Sequence, residues 1–190
     1  MEVVNEALNG IKVLKLRRSE DSRGSFVKSY QASEFKKLGL EFHAAEEYFT
    51  TSVHNSVRGL HFQMPPHHHT KIVYCSFGEV LDVVVDLRCG SPSFGRVFSC
   101  RLNESVPLAV FIPPGFAHGF RTLSERAVLN YKVSTEYHPD SDAGILWNSI
   151  PFDWGLTTNA AILSERDRSF SQLDQFRSPF RFSEKRLGDD

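Results

Sequence analysis

The sequence predicts an all-β protein: short antiparallel strands closing a sandwich or barrel, with a few short helices. Three observations carry this. Leu81, Val83, Val85 and Leu87 alternate with Asp82, Val84 and Asp86, the period-two signature of a half-buried strand. Similar short runs recur along the chain, separated by Gly, Pro, Asp and Ser turn signals at the spacing of a sandwich or barrel. The chain also holds 16 Phe against 5 Tyr and 2 Trp, and large aromatics suit pleated, sheet-packed surfaces.

In chain order, strands are expected at Ile11–Leu16 and Ser25–Tyr30, split by the turn Asp21-Ser22-Arg23-Gly24. Ser33–Leu38 reads as one short capped helix ended by Gly39. Strands Tyr48–Val53 and Val57–Gln63 follow, and Pro65-Pro66 interrupts the pattern. Lys71–Ser76 and Leu81–Leu87 flank the turn Phe77-Gly78-Glu79. Beyond Cys89-Gly90-Ser91-Pro92 come Val97–Leu102, Leu108–Ile112, the break Pro113-Pro114-Gly115, and Ala127–Ser134. Ala160–Arg168 is the second helix candidate. No repeat at a fixed period is visible. Residues 1–190 are expected to form one domain, with the polar stretch after about residue 170, including Ser183-Glu184-Lys185-Arg186, as a peripheral tail.

Composition narrows the function. With 190 residues, 41% hydrophobic and 24% charged, the chain can build one continuous core. A formal net charge of −1 provides no excess of cations for phosphate backbones, which argues against a general nucleic-acid binder. Apolar runs such as Val83-Val84-Val85 are far too short to span a bilayer, and the start Met1-Glu2-Val3-Val4-Asn5-Glu6 lacks the regions of a signal peptide. The 3 cysteines, Cys75, Cys89 and Cys100, have no C-x-x-C spacing. A disulfide framework or thiolate zinc site is therefore not expected, and a cytoplasmic protein without membrane or nucleic-acid partners is.

Several residues point to chemistry. Pro113-Pro114-Gly115-Phe116-Ala117-His118 follows a strand, and its P-x-G-x-x-H pattern resembles the second half of the cupin signature. That resemblance implies a cupin-like jelly-roll barrel. A metal-binding cupin would gather histidines and a carboxylate around one ion. Here His67-x-His69 is followed by Lys71 instead of a nearby Glu, so His67, His68 and His69 read as a solvated loop. Alternation places Gly59, His61 and Gln63 on one strand face, and Leu129, Tyr131 and Val133 on another, with the glycine leaving room for a ligand. Together with Arg58, Lys71 and His118 they would form a cationic, protic pocket for an anionic substrate. Asp82 and Asp86, four apart on one strand, lie about 13–14 Å from each other. That is too far for a glycosidase pair, so they read as a solvated face or a hydrogen-bonded rim.

Arg58-Gly59-Leu60-His61-Phe62-Gln63, Lys71, Gly78–Arg88, Gly90–Gly95, Ile112–Phe120 and Tyr131–Pro139 occur in that order. The set closely resembles the dTDP-4-dehydrorhamnose 3,5-epimerase family from about Gly10 to Asp167. The resemblance implies a homodimeric isomerase acting without metal or cofactor on a nucleotide-diphospho-4-keto-6-deoxy sugar. It makes His61 the base, Asp167 its partner, Tyr131 the acid on the opposite face and Lys71 the cation at the ketone oxygen. It also makes Arg58 and Arg23 diphosphate ligands and His118 a pocket residue, and it puts Gln63 and Arg166 at the substrate. The chain carries Lys28 where the family usually has Glu, and Glu46-Glu47 where it usually has Gln. Lys28 and Glu47 are therefore expected near the nucleotide, with thymidine, cytidine and guanosine all open.

Those residue types suit the reaction. C3 and C5 flank a C4 ketone, so both C–H bonds ionise through an enolate. An imidazole with an ordinary pKa of about 6.5 accepts a proton at neutral pH. An ammonium at the ketone oxygen stabilises the enolate, and a carboxylate fixes the imidazole tautomer. Three other readings stand beside this one. One is an epimerase of a single carbon on a cytidine or guanosine nucleotide. Another is a metal-dependent cupin using His61, His67 or His69, and His118. The third is a sugar-nucleotide-binding module without catalysis.

Overall fold

The computed structural model describes residues 1–183. Its strands are β1 (Glu2–Ala7), β2 (Ile11–Lys15), β3 (Arg17–Asp21), β4 (Gly24–Lys28), β5 (Glu46–Val53), β6 (Val57–Gln63), β7 (Lys71–Phe77), β8 (Glu79–Asp86), β9 (Val97–Asn103), β10 (Leu108–Ile112), β11 (Phe116–Thr122), β12 (Arg126–Val133) and β13 (Asp142–Gly144). One sheet has the order β1-β2-β10-β7-β12-β5 and faces a second of order β13-β6-β11-β8-β9; among the described residues, β3 and β4 pair only with each other. The fold is a jelly roll of antiparallel strands, as expected.

The second sheet is covered on both faces, and the first on both faces over β2, β10 and the start of β7, while the outer face of β5 is exposed. Val73, Leu129 and Tyr131 of the first sheet meet Val84, Phe116 and Phe120 of the second inside the barrel. Outside the second sheet, Leu60, Val83, Val85 and Ala117 pack under Ile145, Trp147, Trp154 and Phe180. Outside the first, Leu14, Ile72 and Phe111 pack under Phe35 and Leu40. The double cover explains why the alternation in β8 does not give a half-buried strand. Val83, Val84 and Val85 are all fully buried, and so are Asp82 and Asp86. The solvated-face reading of these aspartates is therefore wrong. Asp86 binds Arg88, Ser91 and Ser93, and Asp82 binds His118.

The first helix has the expected length, one residue earlier in the chain, and the second is shorter than the pattern predicts. α1 (Ala32–Lys37) begins after Gln31 with no side-chain cap, and Gly39 follows at φ +67°. Of Ala160–Arg168 only the turn α2 (Glu165–Arg168) is helical, capped by Ser164, whose Oγ accepts from the Asp167 N–H. Residues after 170 do not hang free up to 183: Phe180 is buried in the second sheet's cover, and Cys89 and Arg181 form a bridge. The Glu184–Asp190 part of the expected tail lies outside the described residues.

Candidate active site

β6 carries the centre of the site. Its Gly59 sits at φ +128°, and a Cβ there would lie 2.6 Å from the Gly119 Cα. The space beside Gly59 is thus taken by β11, not left for a ligand. Two residues on, the His61 ring is joined to Asp167, with Nε2 and Oδ1 2.9 Å apart. The other Asp167 oxygen accepts from the Gly59 N–H at 3.0 Å. The helical turn after Ser164 therefore delivers one carboxylate to both the ring and the backbone of β6. Burial pushes the Asp167 carboxyl upward, but the hydrogen bonds from His61 and Gly59 outweigh it and leave its pKa below the usual value. Burial lowers the His61 pKa against the pull of Asp167, and nearby Lys71 and Arg166 lower it further. At neutral pH the pair is an ionised carboxylate and a neutral ring. Since a carboxylate only accepts, Nε2 carries the proton and Nδ1 keeps its lone pair.

Lys71 opens β7, and its Nζ donates to the His61 carbonyl at 3.0 Å. Burial brings its pKa down to about 8. His61 and Lys71 share a cleft of about 300 Å³ with Tyr48, His69, Tyr137 and Arg166. Phe170 meets the His61 ring edge-on at 5.6 Å. Phe170 fits because residue 144 is glycine: a Cβ there would lie 2.3 Å from its ring. The two tyrosines of the first sheet are stacked, with Tyr48 and Tyr131 centroids 4.7 Å apart. Burial raises the Tyr48 pKa to about 12 and that of Tyr131 well above its ordinary value. Both are neutral phenols. The wall of the cleft is Tyr48, with Tyr131 only 7% exposed against it.

Of the other expected ligands, Gln63 and Arg166 line the cleft, and Glu47, Arg58, Arg23, Lys28 and His118 do not. Glu47 pairs with Lys132 on the outer face of β5, and alternation gives the cleft Glu46 instead, which accepts from the Tyr137 N–H at 2.7 Å. Arg58 donates to Ser52 Oγ and the Thr51 carbonyl. Arg23 is 88% exposed at the tip of the β3–β4 hairpin and binds Asp21. Lys28 lies beside Arg17 and Glu34. Neither reaches the cleft of its own chain, because this hairpin pairs with no barrel strand. His118 is opposite His61 in register and on the same face, but it is buried deeper in the barrel, held by Asp82 at 2.7 Å, and does not line the cleft. Gln63 lines the cleft with both amide ends already bonded to protein. Arg166 is at the mouth, paired with Asp142 at 2.9 Å.

The histidine loop is not uniformly solvated. His67 stacks on His138 and His68 is exposed, whereas His69 lines the cleft. Among the described residues, no three His, Cys, Asp or Glu side chains come together as metal ligands. His61, His69 and His118 each have a separate partner. The sequence reading missed Glu46, Tyr48, His69 and Phe170. The first two follow from starting β5 at residue 46, and His69 from its i, i+2 relation to Lys71. Nothing local marks Phe170.

The jelly roll thus brings a neutral imidazole–carboxylate pair and a buried ammonium, groups suited to acid–base chemistry, to one cleft. The comparisons with known proteins narrow this chemistry. The family model described as dTDP-4-dehydrorhamnose 3,5-epimerase matches residues 5–175. The Escherichia coli K12 enzyme of that name is 38% identical over 178 residues, covering 92% of this chain and 96% of that protein. The Legionella pneumophila enzyme, solved in complex with dTDP-4-keto-L-rhamnose, has a TM-score of 0.90 and 32% identity over 96% of this chain and 98% of its own. The Bacillus anthracis enzyme, solved with TDP and pyrophosphate bound, has a TM-score of 0.87 and 34% identity over 90% and 99%. The chain belongs to the dTDP-4-dehydrorhamnose 3,5-epimerase family, and its activity is that of an isomerase acting on a nucleotide sugar.

Proposed function

We propose that this chain inverts C3 and C5 of a dTDP-linked 4-keto-6-deoxy sugar, without a metal, and that His61, Lys71, Tyr131 and Asp167 carry the reaction. Nδ1 of His61 takes the proton from the carbon beside the ketone, and the C–H electron pair moves into an enolate. The Lys71 ammonium offsets the negative charge growing on the C4 oxygen. The Tyr131 hydroxyl gives a proton to the opposite face, and exchange with solvent restores ring and phenol. Asp167 holds the Nε2–H tautomer throughout. The observation that supports this most directly is the His61–Asp167 pair at 2.9 Å beside the buried Lys71.

The substrate's diphosphate is assigned to Arg58 and to Arg23, the latter acting across a homodimer in the cytoplasm. Support for a second copy comes from the hairpin, whose Phe26 is 63% exposed and which no other strand among the described residues pairs. The thymidine assignment leans on the nucleotides named for the relatives. Incubation with dTDP-4-keto-6-deoxyglucose in D₂O tests the reading. Deuterium is expected at C3 and C5. Label at neither carbon overturns it, and label at C3 alone reduces it to a single epimerisation. Light scattering at twice the chain mass is expected for the dimer.

A further inference from the structure

His69 has a hydrogen-bond pattern that fixes its proton. The Oε1 of Gln63 lies 2.6 Å from the His138 N–H, which can only donate, so the orientation of the Gln63 amide is set. Its Nε2 then faces three groups: the carbonyls of His67 and Glu136 at 2.8 and 3.2 Å, and His69 Nδ1 at 3.1 Å. An amide nitrogen has two protons and no lone pair to offer. A protonated Nδ1 would set N–H against N–H, so Nδ1 must accept. Burial and the Lys71 charge hold the His69 ring far below its ordinary pKa, at about 3, so it stays neutral. Its one proton is therefore on Nε2.

That Nε2–H is buried and has no acceptor among the described residues. A buried donor left unpaired costs about 1–3 kcal/mol. The fold spends Gln63, two carbonyls and a backbone N–H on holding the ring in the tautomer that leaves this donor free. The ring lines the same cleft as Lys71, two residues along the chain.

We infer that His69 contacts substrate, its Nε2–H donating to the C4 oxygen of the 4-keto sugar as a second, uncharged donor beside Lys71. The inference rests on the epimerase reading above and adds a group to it. A neutral donor suits a place next to an ammonium, where a second cation would be repelled. It also strengthens as the oxygen turns from ketone to enolate, so its effect belongs to turnover more than to binding.

Two measurements test it. Long-range ¹H–¹⁵N spectra of the wild-type imidazoles are expected to show His69 as the Nε2–H tautomer. Its proton is expected to move downfield with a dTDP-4-keto sugar and not with dTDP alone. An Nδ1–H tautomer, or the same shift with dTDP alone, overturns the inference whatever any variant does. In kinetics, His69→Phe is expected to lose about 100-fold in kcat with KM changed less than about 3-fold. His69→Gln, which keeps a donor, is expected to recover most of the loss. A His69→Phe enzyme with wild-type kcat, or one that loses only in KM, sinks it. Wild-type protein that places deuterium at neither carbon sinks the epimerase reading instead, and the spectra still report the tautomer.

Discussion

The molecule contains the same chemical pair twice. His61 and Asp167 are 2.9 Å apart, and His118 and Asp82 are 2.7 Å apart. The two histidines even face each other in register across β6 and β11. They differ in what surrounds them. The His61 side chain is 28% exposed and opens on the cleft, and its carboxylate comes from a helical turn far along the chain. The His118 and Asp82 side chains are 3% and 0% exposed, and β8 and β11 are adjacent strands. Access to the cleft is what separates the pair proposed as catalytic from the buried one. The buried pair leaves Asp82 Oδ2 without a hydrogen-bond partner among the described residues and places a ring edge against Tyr131, at 6.0 Å.

Removing each histidine in turn breaks the comparison most sharply. His61→Ala is expected to lower deuterium washout by about 10³- to 10⁴-fold, the upper range for a general base, while dTDP still binds. His118→Ala is expected to cost roughly 3–5 kcal/mol of stability, because it strands a buried carboxylate. Urea denaturation followed by circular dichroism reads the second effect and isotope exchange the first. Comparable losses of exchange in both variants at full folding would abolish the distinction.

Next in size is Lys71, and here the environment sets a pH dependence. The His61 pKa is lowered, so the ring is a competent base above a value that lies under its ordinary 6.5. The Lys71 pKa is lowered to about 8, so the ammonium is present below that and lost above it. The kcat/KM profile is expected to be a bell, with its alkaline limb near 8. Lys71→Met is expected to cost about 100- to 1000-fold and to remove that limb. A limb that persists unchanged in Lys71→Met assigns it to another group.

How much of this was readable in the sequence follows the range of the interactions. β6 and β10 were legible to the residue, since period-two alternation and flanking turns are local. β1, β3 and β13 were not, being short or polar and existing through pairing; nor was the buried β11, whose stretch was read only as the P-x-G-x-x-H motif after a strand. His61, Lys71 and Asp167 came from the family resemblance, and the structure brings them together. The exposure of Glu47, the burial of His69 and the wall made by Phe170 depend on which strand covers which, and no local pattern carries that. Arg23 and Lys28 show the opposite limit. Their motif is legible, but a hairpin that pairs only with itself leaves them away from the cleft of their own chain.

The smallest expected effect concerns the two stacked tyrosines, which sharpen the contrast between exposed and buried groups. Tyr131 is the acid by resemblance, yet Tyr48 is the ring on the cleft wall, and both phenols are neutral across the working pH. If Tyr131 delivers the proton, Tyr131→Phe is expected to slow product formation about 10- to 100-fold. Proton washout from the substrate should continue, because His61 is untouched. Tyr48→Phe keeps the stacked ring and removes a hydroxyl, so it is expected to change product formation less than about 5-fold, with weaker effects on washout. The informative quantity is the ratio of inversion to washout in each variant. A collapse of that ratio in Tyr48→Phe, with Tyr131→Phe inverting normally, would move the acid one ring outward, from the interior of the barrel to the wall of the cleft.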